Sequence, residues 1–296
     1  MQRTYLFLFS FLMLQCMQLQ AQDSSLLRLL DDSLNADSRQ PQEVTGTFKA
    51  TQLINLPTTE SPAKKTLQFL IMHRFGKLNE GAYALFGLDN ATIRFGLDYG
   101  LTDRLSIGIG RSTLDKALDG SLKYKLLQQT EHSIPISVSL YELVNHYTLR
   151  YSDKPYLNAR YRTSYVSQLL IARKFSRSLS LELAPSWIHM NLVPTPDDKN
   201  DVFVLSAGGR WKFTKRMSLD AEYNYLLPNQ AVSSNITRSL SFGVSIETGG
   251  HVFQLVVTNA AGMAAPYYLA KNTGSWGNGD IYFGFNISRS FNWNRK

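Results

Sequence analysis

From about Thr66 to near the C-terminus, apolar residues recur at every second position rather than every 3.6. Leu240, Phe242, Val244 and Ile246 alternate with Ser239, Ser241, Gly243, Ser245 and Glu247. Ile93, Phe95, Leu97 and Tyr99 alternate with Arg94, Gly96, Asp98 and Gly100, and Met217, Leu219, Ala221, Tyr223 and Tyr225 with Ser218, Asp220, Glu222 and Asn224. Phe203, Leu205, Ala207, Trp211 and Phe213 share one face against Arg210 and Lys212, and Phe283, Phe285, Ile287, Phe291 and Trp293 form another such stripe, broken by Arg289. Successive side chains of a strand point to opposite faces, so each segment has one greasy and one polar side. Weaker alternation runs through Thr66–Phe75, Arg104–Ser112, Gly120–Leu127, Ile134–Glu142, Arg160–Lys174, Ser178–His189 and His251–Thr258. The pattern predicts about 12 strands, many about 9–11 residues long, the length a tilted strand needs to cross a bilayer.

The connections alternate too. Tight ones at Thr102–Arg104, Ser176–Ser178, Thr214–Arg216 and Thr248–Gly250 are interleaved with long ones at Gly76–Asn90, Leu143–Asn158, Met190–Asn200, Pro228–Thr237 and Ala260–Asn278. TDRLSI, SRSLSL and TKRMSL are near-copies of one hairpin turn rather than signs of domain duplication. Short turns on one rim and long loops on the other predict an all-β fold: a closed, antiparallel, up-and-down transmembrane barrel with short periplasmic turns and long extracellular loops. The last strand should run from the long-loop side to the periplasm, which brings both barrel ends to one side. Val44–Ile54 is then an extra extended piece: a periplasmic strand, an inserted plug, or part of a barrel of about 14 strands.

Alternation alone does not say which stripe faces outward. A lipocalin-like barrel hides its greasy face and a membrane barrel shows it. The polar stripes carry Arg74, Arg94, Asp98, Lys123, Lys125, Glu182, Arg210, Lys212, Asp220 and Glu222, which a wide lumen can hold against water or one another. Aromatics on the greasy stripes gather near strand ends, at Tyr99, Trp211, Phe213, Tyr223, Tyr225, Phe291 and Trp293, as an interfacial girdle does. Inward greasy side chains would also leave a void in so wide a barrel. The ten charged residues are therefore the lumen-lining candidates.

The 296-residue chain begins MQRTYLFLFSFLMLQCMQLQAQ, with Arg3 before the apolar run Tyr5–Leu14. Residues 1–22 read as a secretory signal peptide, the run being too short for a spanning helix. Residues 23–65 read as an N-terminal periplasmic or plug segment. It combines a short helix, suggested by Leu26, Leu27, Leu30 and Leu34, with the extended piece; residues 66–296 are the barrel. The single Cys16 leaves no disulfide framework and no Cys-rich metal site. The formal charge, 31 − 23 = +8, suits an anionic membrane surface, and no aromatic–basic module supports nucleic-acid binding.

Several runs resemble an uncharacterised family of Bacteroidota outer-membrane-type β-barrels, a domain of unknown function: His73–Ser112, Gln168–Phe203, Glu247–Asn259 (ETGGHVFQLVVTN) and Thr273–Arg289 (TGSWGNGDIYFGFNISR). The resemblance covers most of the chain from about Phe48. It implies a barrel in a Gram-negative outer membrane and brings no active-site residues.

Catalytic signals are thin. His73, His132, His146, His189 and His251 are not paired at metal-ligand spacing, and His73, His189 and His251 fall on the greasy register near strand ends. His132-Ser133 lacks a polar orienter, and Ser61-x-x-Lys64 contains Pro62 where its motif needs a helix. Asp197, Asp198 and Asp201 lack calcium-loop spacing, and GSWGNG lacks a strand–helix context and reads as a loop tip anchored by Trp276. No enzyme, cofactor or metal is expected. The expected partners are outer-membrane lipid and lipopolysaccharide, the barrel-assembly machinery, and a small solute as cargo. A porin-like passive channel is the leading reading. The alternatives are a structural or interaction barrel binding a partner through its long loops and, behind that, an outer-membrane lipid hydrolase.

Overall fold

The computed structural model describes residues 42–232 and 235–292. The signal peptide, the helix expected before residue 42 and Trp293 lie outside the described residues. The chain divides into a unit of Glu43–Thr130 with Ile134–Lys296 and a smaller one of Met1–Gln42 with Glu131–Ser133. In the described part of the smaller unit, the Glu131 N–H donates to the Gln42 carbonyl at 2.9 Å, and His132 has a left-handed φ of 68°.

The larger unit is one antiparallel sheet of twelve strands: β1 (Thr66–Lys77), β2 (Ala91–Gly100), β3 (Leu105–Ser112), β4 (Leu118–Leu127), β5 (Ser137–His146), β6 (Thr163–Lys174), β7 (Leu179–Met190), β8 (Asp201–Lys212), β9 (Met217–Leu226), β10 (Ser239–Thr248), β11 (His251–Thr258) and β12 (Tyr282–Asn292). Each strand pairs with its chain neighbours, and β12 pairs with β1 from Thr66↔Asn292 to Arg74↔Gly284. That seam closes the barrel and removes both edges, which would otherwise expose unpaired backbone. Phe95, Leu219 and Phe242 are 46, 43 and 47% exposed on the outer wall, while Arg94 and Glu222 are 5 and 1% exposed inside. The greasy stripes therefore face outward and the charged ones inward.

The repeated turn pattern has a side-chain cause. The Thr102 Oγ1 accepts from the N–H groups of Arg104 (3.2 Å) and Leu105 (2.9 Å). Ser176 does the same for Ser178 and Leu179, and Thr214 for Arg216 and Met217. A hydroxyl at this place satisfies the turn's orphan donors and reverses the chain in four residues. All three turns lie on one rim, which also carries the start of β1 and the end of β12.

Val44–Ile54 is no wall strand. Closure at β1–β12 leaves it no edge to join, and it turns back on itself inside the barrel. The Leu53 N–H donates to the Leu56 carbonyl (2.8 Å), the Thr58 N–H to the Thr51 carbonyl (2.9 Å), and Gln52 bridges Pro57. This lumen hairpin comes in from the short-turn rim, where the Val44 N–H reaches the Gln129 carbonyl (2.7 Å). It leaves at the same rim, where the Lys65 N–H reaches the Gly100 carbonyl (2.8 Å). A Cβ on Gly100 would stand 2.2 Å from the Ala63 carbonyl oxygen, so only glycine lets residues 62–63 pass this close to the wall.

The long-loop half of the interior departs from the inward polar stripes that the sequence leads one to expect. Leu143, Val166, Leu170, Ala184, Ile188, Val202 and Val204 face inward from β5–β8 and are buried. They pack with Leu56 of the hairpin and with helix α1 (Ala265–Ala270), all six residues of which are buried. The connection between β11 and β12 thus folds into the barrel and fills the space that inward apolar side chains leave in a wide cylinder.

Candidate functional site

The lumen charges split into two sets. Arg94 and Asp119 pair through Nε to Oδ2 at 2.9 Å and Nη2 to Oδ1, and Arg210 pairs with Asp220 at 2.7 Å; all four side chains are buried. Lys212 and Arg210 also approach Glu247, at 3.3 and 3.9 Å, and Lys125 is half-buried near the same rim.

The other set holds the hairpin. Glu222 Oε2 accepts three consecutive backbone N–H groups, from Ile54 (3.2 Å), Asn55 (2.9 Å) and Leu56 (2.9 Å), and its Oε1 accepts Asn55 Nδ2 (2.8 Å). Arg74 donates to Asn55 Oδ1 (2.9 Å) and to Asn286 Oδ1 (2.9 Å), and Asn286 donates to the Ile54 carbonyl (2.9 Å). Gln254 caps the Leu53 carbonyl at 2.8 Å. Across the lumen, Lys123 donates to the carbonyls of Thr51, Thr58 and Glu60 (3.3, 2.8 and 2.7 Å). Asp98 accepts from the Thr51 hydroxyl (3.0 Å), and Glu182 from the Thr59 N–H (3.1 Å). Buried backbone groups must find partners, and a hairpin without sheet neighbours finds them on these side chains. The spaces left beside it, near Lys123 and near Gln254, are about 10 and 20 Å³, room for about one water each.

Asn55, Asp119, Gln254 and Asn286 were not legible as site residues. Gln254 and Asn286 do sit on the polar stripes of β11 and β12, but they are neutral. Asp119 lies in β4, which begins two residues before the alternation becomes clear. The other candidates are scattered. Asp201 stands with His189 (2.8 Å) and Trp187 (2.9 Å) on the outer wall, whereas Asp198 is buried and accepts from Thr195 and Val232. Trp276 donates to the Leu240 carbonyl (3.0 Å) and packs edge-on against Phe242 outside the wall. Arg289 points outward, 4.7 Å over the Phe291 ring.

At the long-loop rim a cavity of about 630 Å³ opens beyond α1, walled by Tyr147, Tyr151, Tyr156, Lys154, Lys199 and Lys271 among others. Burial lowers the Lys271 pKa, partly offset by the charge of Asp115, and burial raises the Tyr147 phenol.

Residues 48–291 match the family described as membrane bound beta barrel domain (DUF5777). The chain belongs to this family. It is an outer-membrane β-barrel, and the matched span begins inside the hairpin. Among solved structures, the chain is similar to NanC porin (9% identity, TM-score 0.46, covering 76% of this chain and 98% of that one). It is also similar to KdgM porin (9%, 0.45, 76 and 99%) and to an outer membrane channel from Pseudomonas putida F1 (13%, 0.47, 78 and 97%). No curated protein matches the sequence. With this address, the short-turn rim is the periplasmic one.

In a bilayer one outer-wall group stands out. Glu142 lies on the outward register of β5, mid-strand, and accepts from the Ser167 hydroxyl of β6 at 2.5 Å. A carboxyl group in hydrocarbon costs stability even when bonded. Glu142→Leu should therefore stabilise the barrel by about 1 kcal/mol, seen as a higher urea midpoint in lipid vesicles.

Proposed function

We propose that this protein is a closed outer-membrane channel whose periplasmic hairpin is a displaceable plug, and that it has no enzymatic role. The observation that carries this reading is the chemistry of the plug's seat. A permanent filler is held most stably by apolar contacts, because burying charges costs desolvation that their partners rarely repay. The hairpin has apolar contacts at Leu56, Leu53 and Phe48, but its polar groups are seated on charged side chains: its tip on Glu222 and Arg74, its arms on Lys123, Asp98 and Glu182. Once the hairpin leaves, these groups line a surface that water wets readily, with both charge signs on it. Among the described residues, Arg74 Nε, Glu182 Oε1 and both Nη atoms of Arg210 also have no hydrogen-bond partner, a reserve of polar capacity that the closed state does not use.

The hairpin and α1 block the path in series, so passage requires both to move, and α1, seated on apolar contacts, is the harder of the two to shift. In planar bilayers the full chain should give little current. A variant lacking residues 47–60 should remain mostly closed by α1, and one in which residues 262–273 are also replaced by a short glycine–serine link should conduct steadily. A well-folded double variant without current would overturn the channel reading in favour of a structural or interaction barrel.

A further inference from the structure

The cavity at the extracellular rim has no part in holding or releasing the hairpin. It lies beyond α1, so its properties do not depend on whether the plug moves. Its position is that of a vestibule: walls from the loops after β5 and β7 and from Gln230, Ala231 and Ile236 beyond β9, and a floor from Ala270 and Lys271 at the end of α1. At about 630 Å³ it has the size of a small-molecule site.

Two of its three lysines rest on aromatic faces. Lys154 Nζ stands 4.9 Å from the Tyr151 ring centre. Lys271 Nζ stands 5.8 Å from Tyr147 and 5.6 Å from Tyr267. Lys271 is half-buried, and among the described residues its ammonium makes no hydrogen bond or ion pair; Asp115 acts on it only through longer-range charge. Among the described wall residues the single carboxylate, Asp198, already accepts from Val232 (2.8 Å) and Thr195 (3.2 Å). The described wall residues therefore carry 3 − 1 = +2, and the Lys271 ammonium is met by two ring faces rather than by a bonded carboxylate. A cation–π contact holds an ammonium in place without neutralising it, so the position still favours an anion. Tyr156, 56% exposed, adds a free aromatic face at the mouth, and aromatic faces in such sites take the flat or apolar side of a ring.

We infer that this vestibule binds a small carboxylate carried on a six-membered ring, with the carboxylate between Lys271 and Lys154 and the ring against the tyrosines. A sugar acid and an aryl carboxylate share this chemistry. Calorimetric titration of the full chain in nanodiscs separates them. Glucuronate and benzoate are the two ring anions, glucose is the neutral twin of the first, and acetate is the anion without a ring. At least one ring anion should bind, tighter than both glucose and acetate by about tenfold or more, about 1.4 kcal/mol. Glucuronate alone would identify a sugar-acid site, and benzoate alone an aryl site. Lys271→Met should erase the advantage of the preferred ring anion while the barrel keeps its heat-modifiable mobility in gel electrophoresis. Should that variant misfold, Lys154→Met at the open rim should weaken the same anion several-fold. The inference is overturned if neither ring anion binds, if glucose or acetate matches the better one, or if folded Lys271→Met binds as wild type. None of these outcomes bears on conductance, so this site and the channel reading fail separately.

Discussion

Glu222→Leu is expected to release the hairpin tip. The substitution removes the one acceptor that Ile54, Asn55 and Leu56 share through their N–H groups, and it strands those donors in a buried place. Each unsatisfied buried donor costs about 1–3 kcal/mol. Part of that cost disappears as the tip moves away, so a loss of docking free energy of about 3 kcal/mol is expected. This corresponds to a fall in amide protection at residues 54–56 of about 100-fold, which hydrogen exchange read by mass spectrometry resolves on hairpin peptides. Strands β7–β9 should exchange as before. Unchanged protection at the tip would mean that Lys123, Gln254 and Asn286 hold the hairpin without Glu222. Glu222→Gln should fall between, because its amide oxygen can accept while its amide nitrogen faces the donors.

Arg94→Met should destabilise the wall itself. The Arg94–Asp119 pair is bidentate and buried, and its slot is cut by glycine: a Cβ on Gly110 would fall 2.4 Å from Arg94 Nη2 and 2.6 Å from the Asp119 carboxylate oxygens. Losing one partner of a buried pair leaves an uncompensated charge, at a cost of about 3–5 kcal/mol. Adding Asp119→Leu should recover most of the loss, since removing both charges takes their desolvation cost with them. The test is urea unfolding in lipid vesicles, followed by tryptophan fluorescence for wild type, both single variants and the double. If the double variant is as unstable as Arg94→Met alone, the pair's role is packing rather than charge compensation.

The wall was legible in the sequence because period-two alternation is a direct consequence of strand geometry. Leu219, Phe242 and Phe95 point outward as their stripes require, and the turns at Thr102, Ser176 and Thr214 announced themselves by their hydroxyl. The contents of the barrel were less legible. Val44–Ile54 has the same extended character whether it joins a sheet or enters a lumen. What decides between these is the β1–β12 seam, a pairing between residues more than two hundred positions apart. The apolar upper interior was hidden for a related reason: around Leu170 and Ile188 both faces are apolar, and alternation cannot say what fills the inside. Of the ten charged residues, the sequence set them all on polar stripes, but not which would grip the hairpin and which would grip each other. That division depends on where Asn55 and Asp119 fall in three dimensions.

The anchorage of the hairpin also sets how it can move. At its C-terminal end the backbone passes Gly100 and runs straight into β1, with Lys65 bonded to the Gly100 carbonyl. As the proposed plug, the hairpin is therefore leashed to the mouth it would close. Reclosure is unimolecular, governed by an effective local concentration set by a few residues of tether rather than by how many copies crowd the membrane. Opening and resealing kinetics should accordingly be the same in a sparsely and a densely populated bilayer.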